Sequence, residues 1–345
     1  MKQGGGILMR MRIGAALVVV AVMIAALIAG LWEKDGQDTV KLRVGEVTRS
    51  LFYAPQYVAL SEGFFEEEGL DVELTTTFGG DKTMTALLSD GIDIALVGSE
   101  TSIYVAQQGA TDPVINFAQL TQTDGTFLVA RESDEAFDWQ SLKGTVFLGQ
   151  RKGGMPQMAG EFTLKKHGID PQADLELIQN IDFANIPAAF ASGTGEYVQL
   201  FEPQASIFEQ EGRGHVVASF GTESGHLPYT VFMAKSSYLK DHDEAIAAFT
   251  RAIHKAQLWV MEQDSGVIAD SVLPFFEDTD RELVIMVIDR YKNQGSYAAD
   301  PIVDETEWNN LLDVMDSAGE LKARVEHAEL VDNRFAERAI QEAGQ

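Results

Sequence analysis

Three carboxylates directly follow predicted strands or tight turns, where a side chain can meet a small solute. They are Asp81, Glu100 and Glu202. A carboxylate near a helix start can accept hydrogen bonds from an amine or an amidine-like group. Two aromatic residues in similar loops, Tyr53 and Phe201, can stack on a flat ring. Together these residue types favour binding of a small polar heteroaromatic solute, such as an aminopyrimidine.

A glycine-rich loop with two cations offers a different chemistry. Arg151 and Lys152 precede Gly153 and Gly154, and a predicted helix follows. Backbone N–H groups at a helix start, next to basic side chains, are suited to bind an anion. An anion-binding protein would use this loop together with Arg49. The alternative is a surface turn whose charges are solvated.

Further loop residues complete the predicted binding set. They are Ser50, Gly80, Ser99, Thr121, Asn185 and Tyr229. Several candidates also have a purely structural interpretation. Asp81 and Ser99 can cap the helices that follow them, and Tyr53 can pack in the core.

The sequence lacks the residue constellations of an enzyme or a metal site. It contains no cysteine, which excludes disulfides, thiolate metal sites and a cysteine nucleophile. Its six histidines are scattered without the spacing of a zinc-binding helix, and it has no G-x-S-x-G motif. We therefore expect no catalytic residue, no metal and no cofactor.

The charge of the chain excludes other classes of partner. The 345 residues include 26 Lys+Arg and 53 Asp+Glu, for a formal net charge of −27. Binding of phosphates needs a basic face, so we expect neither nucleic acid nor an anionic membrane surface as a partner. A hydrophobic content of 45% is typical of a folded globular protein.

The N-terminus differs in composition from the rest of the chain. Residues 1–12 form a basic leader, residues 13–32 carry no charge, and residues 33–39 form a polar tether. About 20 helical residues span about 30 Å, the thickness of a bilayer core. The positive-inside rule places the leader in the cytoplasm and the acidic remainder outside. We expect an uncleaved membrane anchor, with a cleaved signal peptide as the alternative.

Short strands and helices alternate after the tether. Residues 41–45 and 92–97 have the pattern of strands, and residues 54–62 that of a helix. The alternation predicts a mostly parallel sheet covered by helices. It stops at an acidic connector, residues 131–138, and then resumes, which indicates a second lobe. Ligands bind beyond the carboxyl ends of strands in such sheets, so two facing lobes would form a cleft.

Four segments carry a resemblance to a known family. They are RVGEVTRSLFYAPQYVALSEGFFEEEGLDVEL (43–74), GGDKTMTALLSDGIDIALVGSE (79–100), LKGTVFLGQRKGG (142–154) and YVQLFEP (197–203). The chain resembles the solute-binding components of bacterial ABC importers. Within these it is similar to the group related to thiamine-pyrimidine synthases and to sulfonate, taurine and nitrate binders. The resemblance covers about residues 40–260 and does not identify the ligand.

This resemblance implies an α/β periplasmic-binding-protein fold of type II, with two crossover strands. Lobe one would comprise residues 40–130 and 232–345, and lobe two residues 131–231. The protein would be a monomer outside the cytoplasm that closes on a solute and delivers it to a permease and its ATPase. The ligand would be a thiamine-precursor pyrimidine or, alternatively, a sulfonate, taurine or nitrate. A synthase-like enzyme and a sensory ectodomain are the other hypotheses.

Overall fold

The structure, a computed structural model, describes residues 39–133 and 136–344. The predicted leader and membrane anchor (1–32) and nearly all of the tether lie outside the described residues. Among the described residues, no helix combines the length and apolar character that a membrane crossing requires.

The described residues form ten strands that belong to two sheets. The strands are β1 (Val40–Glu46), β2 (Leu70–Thr76), β3 (Ile94–Gly98), β4 (Val114–Thr121), β5 (Thr126–Ala130), β6 (Val146–Leu148), β7 (Glu176–Ile178), β8 (Tyr197–Phe201), β9 (His215–Ser219) and β10 (Thr230–Lys235). The first sheet has the order β2-β1-β3-β10-β4, and the second has the order β7-β6-β8-β5-β9. Each sheet is the centre of one lobe.

Fifteen α-helices cover these sheets in the described part of the chain. They are α1 (Ala54–Ser61), α2 (Phe64–Glu67), α3 (Gly80–Leu88), α4 (Glu100–Gln107), α5 (Met155–Lys166), α6 (Ile186–Ala191), α7 (Gln204–Gln210), α8 (Phe220–Ser224), α9 (Ser236–Asp241), α10 (Asp243–Glu262), α11 (Ser265–Val272), α12 (Arg281–Gln294), α13 (Glu305–Ser317), α14 (His327–Leu330) and α15 (Arg334–Ala343). The alternation of strands and helices that the sequence predicts is therefore present in both lobes.

Each sheet contains one antiparallel strand that the alternation did not predict. Strand β1 runs parallel to β3, whereas β10 is antiparallel to both β3 and β4. In the second sheet β6 is parallel to β7 and β8, whereas β5 is antiparallel to β8 and β9. Strands β5 and β10 both enter their sheet from the other lobe, which accounts for their reversed direction. The sheets are therefore mixed rather than uniformly parallel.

The lobe boundaries follow from these two crossover strands. Residues 126–130 pair within the second sheet, so they belong to lobe two and not, as expected, to lobe one. The first crossover between the sheets is therefore residues 122–125. The return crossover is residues 225–229, because β10 begins at Thr230 in the first sheet.

The C-terminal helices pack on lobe one and also reach lobe two. In α10 four residues at helical spacing are fully buried: Phe249, Ile253, Ala256 and Val260. Helix α12 reaches lobe two through Arg290, whose guanidinium pairs with two glutamates near and in α7. The C-terminal segment therefore supports the relative position of both lobes, although the sequence analysis assigned it to lobe one alone.

Candidate functional site

Three of the polar contacts between the lobes connect α3 and α4 of lobe one to residues 151–155 of lobe two. The backbone N–H of Met155 in α5 donates to Oε1 of Glu100 over 3.2 Å. The Tyr104 hydroxyl donates to the carbonyl of Gly153 over 3.2 Å. These contacts join the N-terminal half of α4 in lobe one to the loop and first turn of α5 in lobe two. Arg151 and Asp81 make the third contact, an exposed ion pair of 3.3 Å.

Glu100 is the buried carboxyl of this cleft. It is the first residue of α4, directly after β3, and it is 5% exposed. Its Oε2 atom is buried and has no hydrogen-bond partner. Burial raises the pKa of Glu100 to about 7, because a charged carboxylate loses hydration in the interior. The side chain therefore presents one free acceptor atom and changes protonation near neutral pH.

Tyrosine side chains lie around this carboxyl. Burial raises the pKa of Tyr53, Tyr104 and Tyr229, and the nearby charge of Glu100 raises each of them further. Tyr104 is four residues after Glu100, so both lie on one face of α4. The Tyr229 hydroxyl is buried without a hydrogen-bond partner. The environment of Glu100 thus contains phenol groups, and its pKa has no contribution from a basic side chain.

An aromatic cluster that spans both lobes includes Tyr53 and Tyr229, whose pKa values the charge of Glu100 raises. Phe52 is its centre, with ring centroids 5.5 Å from Tyr229 and 5.0 Å from Tyr291. It also lies 5.9 Å from Tyr53 and 6.1 Å from Phe201 of lobe two. Two predicted solute contacts, Tyr53 and Phe201, therefore both lie beside the ring of Phe52. Phe52, Tyr53, Tyr229 and Tyr291 are buried, and Phe201 is partly exposed.

Glu202 has other partners in the structure. Its two oxygens accept hydrogen bonds from the backbone N–H and the hydroxyl of Ser206, over 2.9 and 2.8 Å. Arg290 donates to it over 2.6 Å. The carboxylate caps α7 and anchors α12, and its side chain is fully buried. The structure therefore gives this candidate a structural role.

The candidates that follow β1 and the candidate at the end of β4 also have structural partners. Arg49 pairs with Glu46 over 3.5 Å. The Ser50 hydroxyl accepts from the Phe52 backbone N–H over 3.2 Å. The hydroxyl of Thr121, at the end of β4, accepts from the Thr230 backbone N–H over 3.1 Å. These contacts shape the loop that carries Phe52 and the beginning of β10.

The capping interpretation is wrong for Asp81 and holds for Ser99 only in position, since Ser99 is the N-cap residue of α4 but its side chain makes no capping hydrogen bond. Helix α3 begins at Gly80 without a side-chain cap, and the carboxylate of Asp81 pairs with Arg151 instead. No side chain caps α4 either, because the Ser99 hydroxyl donates to the carbonyl of Pro228 in the return crossover. Ser99 therefore connects the start of α4 to the second crossover.

The remaining candidates lie in the loop before α5 or on the surface. Gly153 has a left-handed φ of 88°, which glycine adopts without strain, and its N–H donates to Gln157 over 2.9 Å. Gly154 directly precedes α5. Lys152 and Asn185 are exposed. Only part of the predicted set thus comes together at the cleft.

Asp124, in the first crossover, is a buried carboxyl outside the predicted set. Its Oδ1 atom accepts from the Thr126 backbone N–H over 2.7 Å and from the Thr126 hydroxyl. Its Oδ2 atom is buried without a partner, and burial raises the pKa of Asp124 to about 6. The available signal was the turn sequence TDGT directly after a buried strand. Within the described residues no group of three or more His, Asp or Glu side chains is arranged for a metal.

Two α/β lobes, two crossovers and a buried polar cleft define this molecule as a solute-binding protein of the ABC-importer class. The chain belongs to the NMT1-like family, whose profile matches residues 35–271.

Relatives and solved structures agree with this assignment. The chain is 60% identical over 332 residues to YtlA of Bacillus subtilis (strain 168), which is named as a binding protein. The matched region covers 96% of this chain and 98% of that protein. It is 22% identical over 279 residues to the formylaminopyrimidine-binding protein of Halalkalibacterium halodurans, covering 76% of this chain and 80% of that protein. The alkanesulfonate-binding protein SsuA of Xanthomonas axonopodis pv. citri has the same fold. Its TM-score is 0.69 at 16% identity, over 85% of this chain and 98% of that chain.

Proposed function

We propose that this protein captures a small polar heteroaromatic solute of the aminopyrimidine type and delivers it to an ABC importer. The observation that carries the proposal is the buried Oε2 atom of Glu100, which has no partner and lies next to an aromatic cluster. Membership of the family supports delivery to an importer, and the chemistry of the site supports the class of solute.

A ring amine is a suitable partner for this acceptor. Its N–H would donate to Oε2 of Glu100, and a hydrogen bond to a charged carboxylate is roughly twice as strong as a neutral one. The flat ring would pack against the aromatic cluster centred on Phe52. A buried acceptor without a partner costs about 1–3 kcal/mol, which the bound solute would remove.

The contact between Glu100 and Met155 couples solute binding to lobe closure. One oxygen of the carboxylate accepts from lobe two, and the other is free for the solute. A solute that binds Oε2 would fix the orientation of the carboxylate. It would thereby also hold Oε1 in place for the Met155 N–H of lobe two. Closure is favoured because the closed state has more contacts with the solute than an open state.

The relative named for formylaminopyrimidine binding supports the same class of solute. Its identity to this chain is 22%, so it supports the class and not a particular molecule. A sulfonate, taurine or nitrate solute is the alternative that the fold neighbours suggest. Two of the three cations for such an anion are engaged, because Arg151 pairs with Asp81 and Arg49 pairs with Glu46. The third, Lys152, is exposed. The Met155 N–H already serves Glu100, whose charge would repel an anion.

The location and partners of the protein are part of this proposal. Residues 13–32 would anchor the acidic domain on the outer face of the membrane, close to the permease and its ATPase. Such tethering raises the effective concentration of the receptor at the transporter. Membrane fractionation of cells that express the full chain, with and without residues 1–32, tests the anchor. A chain that is released from the membrane fraction despite its N-terminus would contradict it.

Isothermal titration calorimetry of the full chain tests the class of solute. The panel contains aminopyrimidines with hydroxymethyl, aminomethyl and formylaminomethyl groups, together with taurine, an alkanesulfonate and nitrate. We expect binding of at least one aminopyrimidine, weakened roughly tenfold to a hundredfold in Glu100→Gln. Glu66→Gln, on the exposed face of α2, changes the charge equally and should bind like the wild type. Binding of anions alone, or an unchanged affinity in Glu100→Gln, would overturn the proposal.

A further inference from the structure

Asp124 lies in the first crossover between the lobes, and one half of its carboxyl group has no partner. The Thr126 backbone N–H and hydroxyl both donate to Oδ1, which fixes the orientation of the side chain. The other oxygen, Oδ2, is buried without a hydrogen-bond partner of good geometry, although the Tyr229 hydroxyl, as a side-chain donor, lowers the pKa of Asp124. The residue is fully buried, so solvent does not satisfy this oxygen.

The Tyr229 hydroxyl connects this carboxyl to Glu100. Tyr229 lies in the return crossover, and its hydroxyl is buried without a hydrogen-bond partner of good geometry. After burial, the charge of Asp124 and a side-chain hydrogen bond to it, and then the charge of Glu100, raise the pKa of Tyr229. Both carboxyls are therefore within electrostatic reach of one phenol. The Tyr229 ring also meets Phe52 edge-on at 5.5 Å, so this group adjoins the aromatic cluster.

The two carboxyls have no basic partner among the described residues. The pKa of each is raised by burial, and the groups that oppose this rise are hydrogen-bond donors without charge. The arginines around the cleft pair with other acids: Arg49 with Glu46, Arg151 with Asp81, and Arg290 with Glu202 and Glu209. A buried carboxylate is stable only when it is paired or fully hydrogen-bonded. A solute with nitrogen donors would provide the hydrogen bonds that the free oxygens of these two carboxyls lack.

We propose that Asp124 is a second solute-binding carboxyl, so that the solute is a nitrogen base with donors at two separate positions. One donor reaches Oε2 of Glu100, and the other reaches Oδ2 of Asp124. The inference rests on the proposed function and narrows it. It excludes solutes that carry a phosphate or carboxylate at the second position, because a negative charge there would lie beside an acid.

A structural role for Asp124 is the competing explanation. A small movement would let the Tyr229 hydroxyl donate to Oδ2, which would join the two crossovers at the hinge. In that case Asp124 would affect the stability of the protein and its closure for every solute alike. Selectivity between solutes separates the two roles, because only a direct contact discriminates between substituents of one ring.

Calorimetry with two matched rings tests the inference on the full chain. One probe is an aminopyrimidine with an aminomethyl group, and the other has a methyl group at that position. We expect the wild type to bind the aminomethyl ring about tenfold more tightly or better. Asp124→Asn should remove this preference and leave the affinity for the methyl ring within about twofold. Asn keeps an acceptor for Thr126, and Glu100→Gln should weaken both rings alike.

The remaining outcomes also decide the question. If Asp124→Asn keeps the preference, or weakens both rings equally, Asp124 is a hinge residue and the inference fails while the proposed function stands. If the wild type binds neither ring, the proposed function fails and the inference fails with it. The phosphate ester of the hydroxymethyl ring needs no variant protein. We expect it to bind the wild type at least about tenfold more weakly than its alcohol, and equal or tighter binding would overturn the inference.

Discussion

The Oε1 atom of Glu100 lies 3.2 Å from the backbone nitrogen of Met155, so one carboxyl of lobe one closes on the first helical turn of α5 in lobe two. The amide belongs to the positive end of α5, which favours a negative partner. Burial opposes the charge and is the larger effect, since it raises the pKa of Glu100 to about 7. Oε1, which makes the contact between the lobes, and Oε2, which has no partner, thus belong to one carboxyl group whose pKa is about 7.

The stability of the protein should fall as the pH rises toward 7. Glu100 has a raised pKa in the folded state, so between about 4.5 and about 7 the folded protein binds more protons than the unfolded chain. The contribution of Glu100 to the free energy of unfolding is therefore largest below about pH 4.5. It decreases as the pH rises to about 7. The expected decrease is roughly 3 kcal/mol. Urea denaturation at several pH values measures it.

Glu100→Gln is the matched test of that assignment. The amide does not titrate, so the part of the slope between about pH 6 and about pH 7 should disappear. A slope below about pH 6 should remain, because burial also raises the pKa of Asp124 to about 6. An identical pH profile in the variant and the wild type would show that Glu100 does not carry the effect.

Gly98→Ala should disrupt solute binding without changing any polar group. A Cβ atom at residue 98 would lie 2.1 Å from Oε2 of Glu100, so the carboxyl would have to move. We expect at least about a tenfold loss of solute affinity, the size of one hydrogen bond to a charged group. Gly80→Ala is the control, since its Cβ would lie 3.4 Å from Val97, at ordinary contact distance. Equal affinities in the two variants would contradict the placement of Glu100.

The sequence predicts the cleft better than it predicts the partners within the cleft. The position of Glu100 after β3 follows from local pattern, because a buried strand ends there and a helix begins. The partner of Glu202 could not be read in the same way. Arg290 is 88 residues further along the chain, and only packing of α12 on α7 brings the two together. From the sequence alone, an acid that pairs with a distant arginine, such as Glu202, cannot be distinguished from one that contacts a solute.

The crossovers explain the other differences. Strand β10 follows lobe two in the chain but inserts between β3 and β4 in the first sheet. Strand periodicity contains no information about such insertion. The first lobe boundary was placed several residues late because β5 follows lobe one in the chain but pairs in the second sheet. Asp124 was missed for the same reason, since its importance depends on Tyr229 in the other crossover. Pairing between distant segments is a tertiary property that local spacing does not reveal.

Arg290→Met should destabilise the fold and leave solute affinity nearly unchanged. It would leave the fully buried Glu202 without its cation, and loss of one partner of a buried pair costs roughly 3 kcal/mol or more. Thermal and urea unfolding measure the loss. The double variant with Glu202→Gln should recover part of it, because the uncompensated charge is also removed.

Glu202→Gln alone decides between structure and binding at this position. We expect lower stability with an affinity for the aminopyrimidine solute within about twofold of the wild type. A variant of normal stability that has lost binding would instead restore Glu202 as a solute contact. Calorimetry and denaturation on the same protein preparation separate the two results.

Arg151→Gln should shift the lobes toward an open arrangement by a small amount. Arg151 and Asp81 form an exposed ion pair of 3.3 Å between the lobes, and exposed pairs contribute about 1 kcal/mol or less. The open population should therefore rise by no more than about fivefold, and salt should reduce the difference between variant and wild type. The chain has no cysteine, so dyes on Glu66→Cys and Gln172→Cys report the lobe separation by single-molecule energy transfer. Lys152→Gln, at the neighbouring exposed residue, is the control of equal charge, and an equal shift in both variants would mean that net charge rather than the ion pair controls closure.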